Sequence, residues 1–451
     1  MSWLSLRSLL AKLIIICDQT EYETNVINGK VTRFRDAVIV GGGVIGSACA
    51  LAMSRRGMST LIVDNASIPR PASYGNAGHI ALEQPAPLAS QAVLLGAPAR
   101  LFAVGGPLDF RLRDIAAWGP WAVRYLQACR PDATRAGTGA LSTLLSAAAP
   151  AWRTLVQDLA APDLLIEHGH LLVWETAGTA ARGRASWTAA DTGVARLRDL
   201  SGDERATLKT RLAVPISDGV AFDGTGQIAD VSRLLATLDE VHRSRGGERR
   251  RGHAVEIREV DRRPHITLDD GTTLTPDLAV VAGGVGSGAL MRGAGHVAPV
   301  VAERGYHIEG PAGDWGDLPP VVFEDRATIV TRFADRLRAS SFVEFAHLDA
   351  PADPRKWARL RRHAEALGLP LAKAETTTWM GARPTLPDYL PAIGRSRRIG
   401  GLIYAFGHQH LGLTLSAITG ELVGDLALGR TPALNLSPFD IARFERGWRL
   451  S

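Results

Sequence analysis

Hydrophobic and polar positions change their period several times along the chain, and each change predicts an element. Ala37-Val-Ile-Val40 is an uninterrupted β-branched run, as expected of a parallel strand buried on both faces. From Val44 the apolar and small residues recur at helical spacing through Ala48, Leu51 and Ala52. Ser54-Arg-Arg-Gly57 then supplies a cationic last turn and a glycine stop. Thr60-Leu-Ile-Val63 reads as a second strand that ends in Asp64. Between Pro85 and Pro162 the chain is rich in Ala and Leu, with Trp118, Trp121 and Trp152 among helically spaced positions, which predicts several helices with aromatic residues in the core. His170-Leu-Leu-Val-Trp174 is a strand candidate, and residues 183–212 look helical again.

Ala254-Val-Glu-Ile257 and His265-Ile-Thr-Leu268 are short alternating runs, and Asp269-Asp-Gly271 is a turn, so a small antiparallel meander is expected. Pro276-Asp-Leu-Ala-Val-Val-Ala-Gly-Gly284, followed by Ser287, reads as a later strand of the first sheet. Thr328–Phe333 and Leu337–Phe345 alternate around Ala334-Asp335-Arg336, a hairpin of a different, antiparallel sheet. Leu402-Ile-Tyr-Ala-Phe406, a Gly407-His-Gln-His-Leu-Gly412 loop and an amphipathic run from Leu413 to Leu428 then repeat the strand-to-helix pattern of the N-terminal part. The predicted fold class is α/β: a Rossmann-like domain assembled from separated segments, with an inserted α+β domain built on an antiparallel sheet.

Chemistry enters between the first strand and the first helix. Gly41-Gly-Gly43-Val-Ile-Gly46 has the G-x-G-x-x-G spacing in the setting that gives it meaning. Gly41 allows the tight turn, Gly43 lets backbone approach a pyrophosphate, and Gly46 lets helix and strand pack closely. The helix N-terminus through Val44 and Ile45 faces the anionic diphosphate, and Asp64 at the end of the second strand can accept hydrogen bonds from ribose hydroxyls. The pattern predicts dinucleotide binding without saying which dinucleotide. The Gly407–Gly412 junction is a second place where backbone N–H groups can face an electron-rich ligand, and a flavin ring would fit there.

Composition narrows the partners. The 451 residues are 46% hydrophobic and 22% charged, which excludes a disordered chain. Basic residues number 51 against 46 acidic, for a formal +5, and lysine occurs only at positions 12, 30, 209, 356 and 373. Arginine therefore sets the basic character, without a large net charge. Arg243-Ser-Arg-Gly-Gly-Glu-Arg-Arg-Arg251 is the densest basic stretch, and it has no aromatic residues to stack bases, so no nucleic-acid partner is expected. Cys17, Cys49 and Cys129 lie too far apart for a C-x-x-C pairing, which argues for a reducing compartment. The apolar run Leu9–Cys17 is broken by Lys12 and falls short of the roughly 18 residues needed to span a bilayer. A cytoplasmic protein is expected, with at most peripheral contact at the inner face of a membrane.

In combination the motifs resemble the FAD-dependent D-amino-acid oxidase superfamily, and within it the bacterial D-amino-acid dehydrogenases. The resemblance spans residues 34 to 435. It rests on the dinucleotide motif, Ser73-Tyr-Gly-Asn-Ala-Gly-His-Ile80, Arg304-Gly-Tyr306, Arg336-Leu-Arg338 with Val343-Glu-Phe345, Gly381-Ala-Arg-Pro384 with Pro387-Asp388, and Gly407-His408 with Leu411-Gly412. It implies an N-terminal extension (1–33), an FAD-binding domain (34–84, 213–295 and 386–435), a substrate domain (85–212 and 296–385) and a C-terminal tail (436–451). It also implies non-covalent FAD, held by Gly41, Gly43, Val44, Ile45, Gly46 and Asp64, by Ser73, Asn76, Ala77 and Gly78, and by Gly407, His408, Leu411, Gly412, Leu413 and Thr414.

Arg383 matches the arginine that grips the substrate carboxylate, a task suited to a planar guanidinium; a surface ion pair is the plainer reading. Tyr306 is a candidate for lining the substrate pocket or, equally, a packed strand tyrosine. The histidine-rich loop resembles members acting on cyclic D-imino acids such as cis-4-hydroxy-D-proline. His79 and His410 then either contact substrate or pack beside the flavin. His408-x-His410 lacks a third ligand nearby, so no metal is expected. The implied reaction is oxidation of the Cα–N bond of a D-amino or D-imino acid, with a quinone or an electron-transfer partner as acceptor. A sarcosine- or glycine-oxidase-like enzyme using oxygen and a non-catalytic FAD relay subunit are the alternatives.

Overall fold

The computed structural model describes residues 26–27, 30–31, 36–65 and 72–445. The expected N-terminal extension falls outside the described residues, apart from a two-stranded pairing of Val26–Ile27 with Lys30–Val31. Residues 446–451 of the expected tail also lie outside them.

The buried β-branched runs assemble one six-stranded sheet. Its order is Glu248–Arg251, Thr60–Asp64, Ala37–Val40, Leu278–Val281, Leu402–Phe406 and Ala392–Arg395, with every neighbouring pair parallel except the last. Ala37–Val40 at its centre is buried at all four positions, which explains its lack of alternation. Ile39 and Ile62 point to a layer formed by the helices Val44–Arg55, Pro131–Asp158, Val231–Ser244 and Gly412–Ala427. Val38, Val40, Leu61 and Val63 point to the opposite layer, formed by the meander Ala254–Val260, Arg263–Leu268, Thr273–Leu274 and the helix Ser287–Gly293.

A second sheet of nine strands carries the antiparallel hairpins. Thr377–Thr385, Val301–Pro311, Arg336–Phe345, Thr328–Phe333, Val321–Phe323, His170–Trp174, Asp218–Asp223 and Arg196–Asp199 follow one another, and Leu108–Phe110 pairs onto Arg336–Phe345. The helix Pro354–Leu367 packs on this sheet through Leu360, Ala364 and Leu367. A small third sheet joins His79–Ile80, Gly226–Ile228 and Leu165–Ile166.

Three placements differ from the sequence reading. Within 183–212, expected to be helical, Arg196–Asp199 is an edge strand whose Arg196 and Arg198 pair with Asp223. Its charged side chains hide the strand signal because an edge tolerates them. Asp218–Asp223, grouped by sequence with the nucleotide-binding pieces, adds to the large sheet beside His170–Trp174. The helix Pro131–Asp158, grouped with the substrate pieces, packs its buried Leu144, Leu145 and Trp152 in the helix layer of the six-stranded sheet. Among the described residues no helix is long and apolar enough to cross a membrane.

Candidate active site

Two helices begin at the same edge of the six-stranded sheet because each follows a parallel strand. Gly41 leaves the first strand at φ +111°, and a Cβ there would sit 2.4 Å from the Ala282 carbonyl oxygen. A Cβ on Gly46 would lie 1.9 Å from the Gly41 carbonyl oxygen, so helix and turn touch only because both residues are glycine. No side chain of Gly43 caps the helix, and the Val44 N–H donates to Ser73 Oγ at 3.0 Å. Asp64 is half-buried at the end of its strand, with the Arg249 guanidinium 3.6 Å from its carboxylate. A helix N-terminus behind a glycine turn, with only its Val44 N–H taken by a side chain and a carboxylate at the next strand end, fits a dinucleotide diphosphate and its ribose. Arg249, which bounds this space beside Gly42, lies in the basic stretch 243–251, to which the sequence reading gives no site role.

The Ser73–Gly78 loop runs from this helix toward the large sheet. Asn76 Oδ1 accepts the Gly78 N–H at 2.8 Å, and Gly78 O accepts the Ile228 N–H at 2.8 Å. Arg338 is buried, donates to the carbonyls of Tyr74 and Asn76, and is paired with Glu309 at 2.6 Å. The loop conformation, including Ala77 between these anchors, is thus set by the nine-stranded sheet.

At the other end of the cleft Thr414 Oγ1 accepts the Ala81 N–H at 3.0 Å, tying the second helix to the loop's exit. Trp152 Nε1 donates to the Leu413 and Thr414 carbonyls. Gly407 and His408 precede a single 3-10 turn, Gln409–Leu411, and Gly412 opens the helix with no acidic residue in its first turn. His408 is buried, with Nε2 3.0 Å from Thr419 Oγ1, and burial pushes its imidazole down to about 3. It is a neutral side chain that packs the loop. His408 and His410 do not converge on a common point, since His410 turns to Glu303.

Glu303 organises a cluster on the large sheet. It is fully buried on the strand Val301–Pro311. Its Oε1 lies 3.3 Å from Arg383 Nη1 and 3.3 Å from His410 Nδ1, while Oε2 accepts from Thr385 Oγ1 at 3.0 Å and Tyr389 OH at 3.2 Å. Burial by itself would raise this carboxyl, but His410, Arg383 and the Thr385 hydroxyl outweigh it and hold it down at about 2. Arg383 also donates to the Phe342 carbonyl through Nη1, whereas Nη2 and Nε have no hydrogen-bond partner among the described residues. A Cβ at Gly305 would sit 2.3 Å from Nη2, so the glycine of Arg304-Gly-Tyr306 makes room for the guanidinium. His410 Nε2 is buried and unpartnered. A bridge between Thr385 and His408 sets this cluster against the Gly407–Gly412 turn. The arrangement can bind an anion at the open edge of Arg383 and hold or release a proton at His410 Nε2.

Tyr306 does not stand with these residues. Strand alternation puts Glu303, Gly305 and His307 on one face and Arg304 and Tyr306 on the other. Its hydroxyl donates to Glu344, accepts from Arg304 Nη2 at 3.0 Å and from the Asp353 N–H at 3.2 Å, and its ring packs on Trp357. Of the two readings of Tyr306, these contacts describe the packed strand tyrosine. Glu303 escaped the sequence reading; its one signal is an acid inside the apolar run Val300-Val-Ala-Glu303.

A mostly parallel sheet with a dinucleotide turn, joined to a mixed sheet whose Arg383 faces His410 of the turn Gln409–Leu411, is the arrangement of a flavoprotein oxidoreductase. The chain belongs to the FAD dependent oxidoreductase (DAO) family, whose model matches residues 36–426. It is 30% identical over 417 residues to a D-amino-acid oxidase of Bradyrhizobium diazoefficiens, covering 91% of this chain and 99% of the relative. It is 29% identical over 435 residues to D-amino acid dehydrogenase 2 of Ralstonia nicotianae, covering 90% and 99%. Among solved structures, the fold is similar to glycine oxidase from Geobacillus kaustophilus, with a TM-score of 0.68 at 23% identity, covering 91% and 99% of the two chains.

Proposed function

We propose that the protein oxidises the Cα–N bond of a D-amino acid or a cyclic D-imino acid, of which cis-4-hydroxy-D-proline is one example. Its electrons pass to a quinone or an electron-transfer partner. The observation that carries this reading is the cluster in which Glu303 holds both Arg383 and His410 while leaving a free edge on each.

The free Nη2 and Nε of Arg383 grip both oxygens of the substrate carboxylate, fixing Cα relative to the cofactor. Glu303 accepts from His410 Nδ1–H, so Nε2 carries the lone pair. That atom takes a proton from the substrate ammonium, or accepts a hydrogen bond from a ring hydroxyl. The buried Glu303 carboxylate stabilises the imidazolium that results. Gly41, Gly43, Val44, Ile45 and Gly46 hold the FAD diphosphate, Asp64 the ribose, and Ser73, Asn76, Ala77, Gly78 and the 407–414 segment the flavin part, His408 through its backbone alone. Bound FAD would supply the two-electron acceptor for the oxidation of the Cα–N bond, whose product is an imino acid.

Anaerobic mixing of the yellow holoenzyme with D-amino acids, sarcosine and cis-4-hydroxy-D-proline tests the reading. Bleaching of the flavin absorbance is expected with a D-amino or D-imino acid, and absence of bleaching with every compound overturns the proposal. The name of the Bradyrhizobium relative favours oxygen as a second possible acceptor. Peroxide formation in air, compared with reduction of a quinone or dye, separates the two acceptors.

A further inference from the structure

Three side chains outside the Arg383 cluster converge where the flavin loop enters the small sheet. His79 opens the strand His79–Ile80, Glu83 follows four residues later, and His170 begins the strand His170–Trp174 of the large sheet. One ligand-type atom from each lies within 4.8 Å of the others. Glu83 Oε2 is 3.9 Å from His79 Nε2, and Oε1 is 4.0 Å from His170 Nε2. The side chains are 10%, 10% and 2% exposed in the order His79, Glu83, His170.

The hydrogen bonds define what His170 presents. Thr225 Oγ1 donates its one proton to the Phe222 carbonyl at 3.1 Å, so it accepts from His170 Nδ1–H at 2.9 Å. His170 Nε2 therefore aims a lone pair toward the Glu83 carboxylate. His79 Nε2 is buried with no partner and faces the same carboxylate. The Leu82 N–H donates to Glu83 Oε2 at 2.8 Å, and among the described residues Glu83 is ion-paired with no lysine or arginine. The His170 Nε2 lone pair and the Glu83 carboxylate, turned on one another in a buried site beside the unpartnered His79 Nε2, are balanced by a cation between them.

We propose that His79, Glu83 and His170 bind a divalent transition-metal ion of the Zn²⁺ type, with a fourth position left open. Two imidazoles and a carboxylate suit that class, whereas Ca²⁺ and Mg²⁺ favour all-oxygen sites. Bonds of about 2.0–2.2 Å put ligand atoms about 3.4 Å apart in a tetrahedron, so closure on the ion draws atoms now 3.9 Å to at most 4.8 Å apart toward one another by side-chain rotation. Thr225 holds the His170 ring in the orientation the metal requires. The inference stands independently of the proposed reaction and departs from the metal-free expectation, because its ligands come from segments 87 residues apart, Glu83 and His170.

Equilibrium dialysis of tag-free, FAD-loaded protein against micromolar Zn²⁺, followed by elemental analysis, tests it. One zinc per chain is expected, with a rise in melting temperature. Glu83→Gln and His170→Ala should each weaken binding at least tenfold while the flavin absorbance persists. Should either variant fail to hold FAD, Thr225→Val, which removes the ring anchor without touching a ligand, should still weaken binding several-fold. No stoichiometric zinc, or zinc bound as tightly by the variants, overturns the proposal.

Discussion

His410 and Arg383 meet the same oxygen of Glu303, each at 3.3 Å, although they come from a turn and a strand that serve different sheets. One buried carboxylate thus sets the spacing between the group proposed to bind the substrate carboxylate and the group proposed to take its proton.

Replacing Glu303 with glutamine keeps the shape and removes the charge. The variant should retain FAD and lose about 100-fold in kcat/KM, roughly 3 kcal/mol of transition-state stabilisation. Steady-state kinetics on the best substrate, with the flavin-to-protein ratio as control, checks this; an unchanged kcat/KM would remove Glu303 from the mechanism.

The same carboxylate makes stability depend on acid. Its folded pKa, about 2, lies below the ordinary 4.5, so its contribution is fully present above pH 4.5 and lost as pH falls toward 2. Urea unfolding should show wild type more stable than Glu303→Gln by about 3 kcal/mol at pH 7, with the gap closing between pH 4.5 and 2. A constant gap across that window would contradict the ionised state of Glu303.

Arg383→Ala should raise KM by about 30- to 1,000-fold, from the loss of about 2–4 kcal/mol in charged hydrogen bonds, and leave FAD bound. Loss of flavin from the purified variant would mean that Arg383 serves the cofactor.

Tyr306→Phe removes a hydroxyl that links Arg304, Glu344 and the Asp353 N–H, all on the face away from Arg383. Unfolding free energy should drop by about 1–3 kcal/mol with KM changed less than twofold. A large KM effect with intact stability would restore the pocket-lining role.

Gly46→Ala should prevent assembly of the nucleotide site, because its Cβ would overlap the Gly41 carbonyl. The expected result is protein purified without yellow colour or recovered only as aggregate, and normal flavin content would refute the packing argument.

The nucleotide half of the fold was legible because its signals are local. Gly41, Gly46, Asp64 and the buried runs 278–281 and 402–406 each act on neighbours a few residues away or fill a strand buried on both faces. The substrate side was legible only in part. Alternation tells that Glu303 and Tyr306 point oppositely, yet which face meets the flavin loop is settled by Arg338 and His307 reaching Tyr74, Gly75 and Asn76 across the chain. The pairing of His79 with Glu83 and His170 is equally nonlocal, and Arg196–Asp199 hid its strand character behind charges that an edge position tolerates.

The order of the six-stranded sheet also dictates a schedule for the newborn chain. Ala37 pairs with Leu278, and Ala279 in turn with Leu402, so the opening strand waits for most of the polypeptide before its second edge is covered. Such distant pairings slow folding and leave apolar strand edges open to chaperones or to other nascent chains. Fragments that stop before the helix Gly412–Ala427 should therefore bind no FAD, however complete their glycine turn.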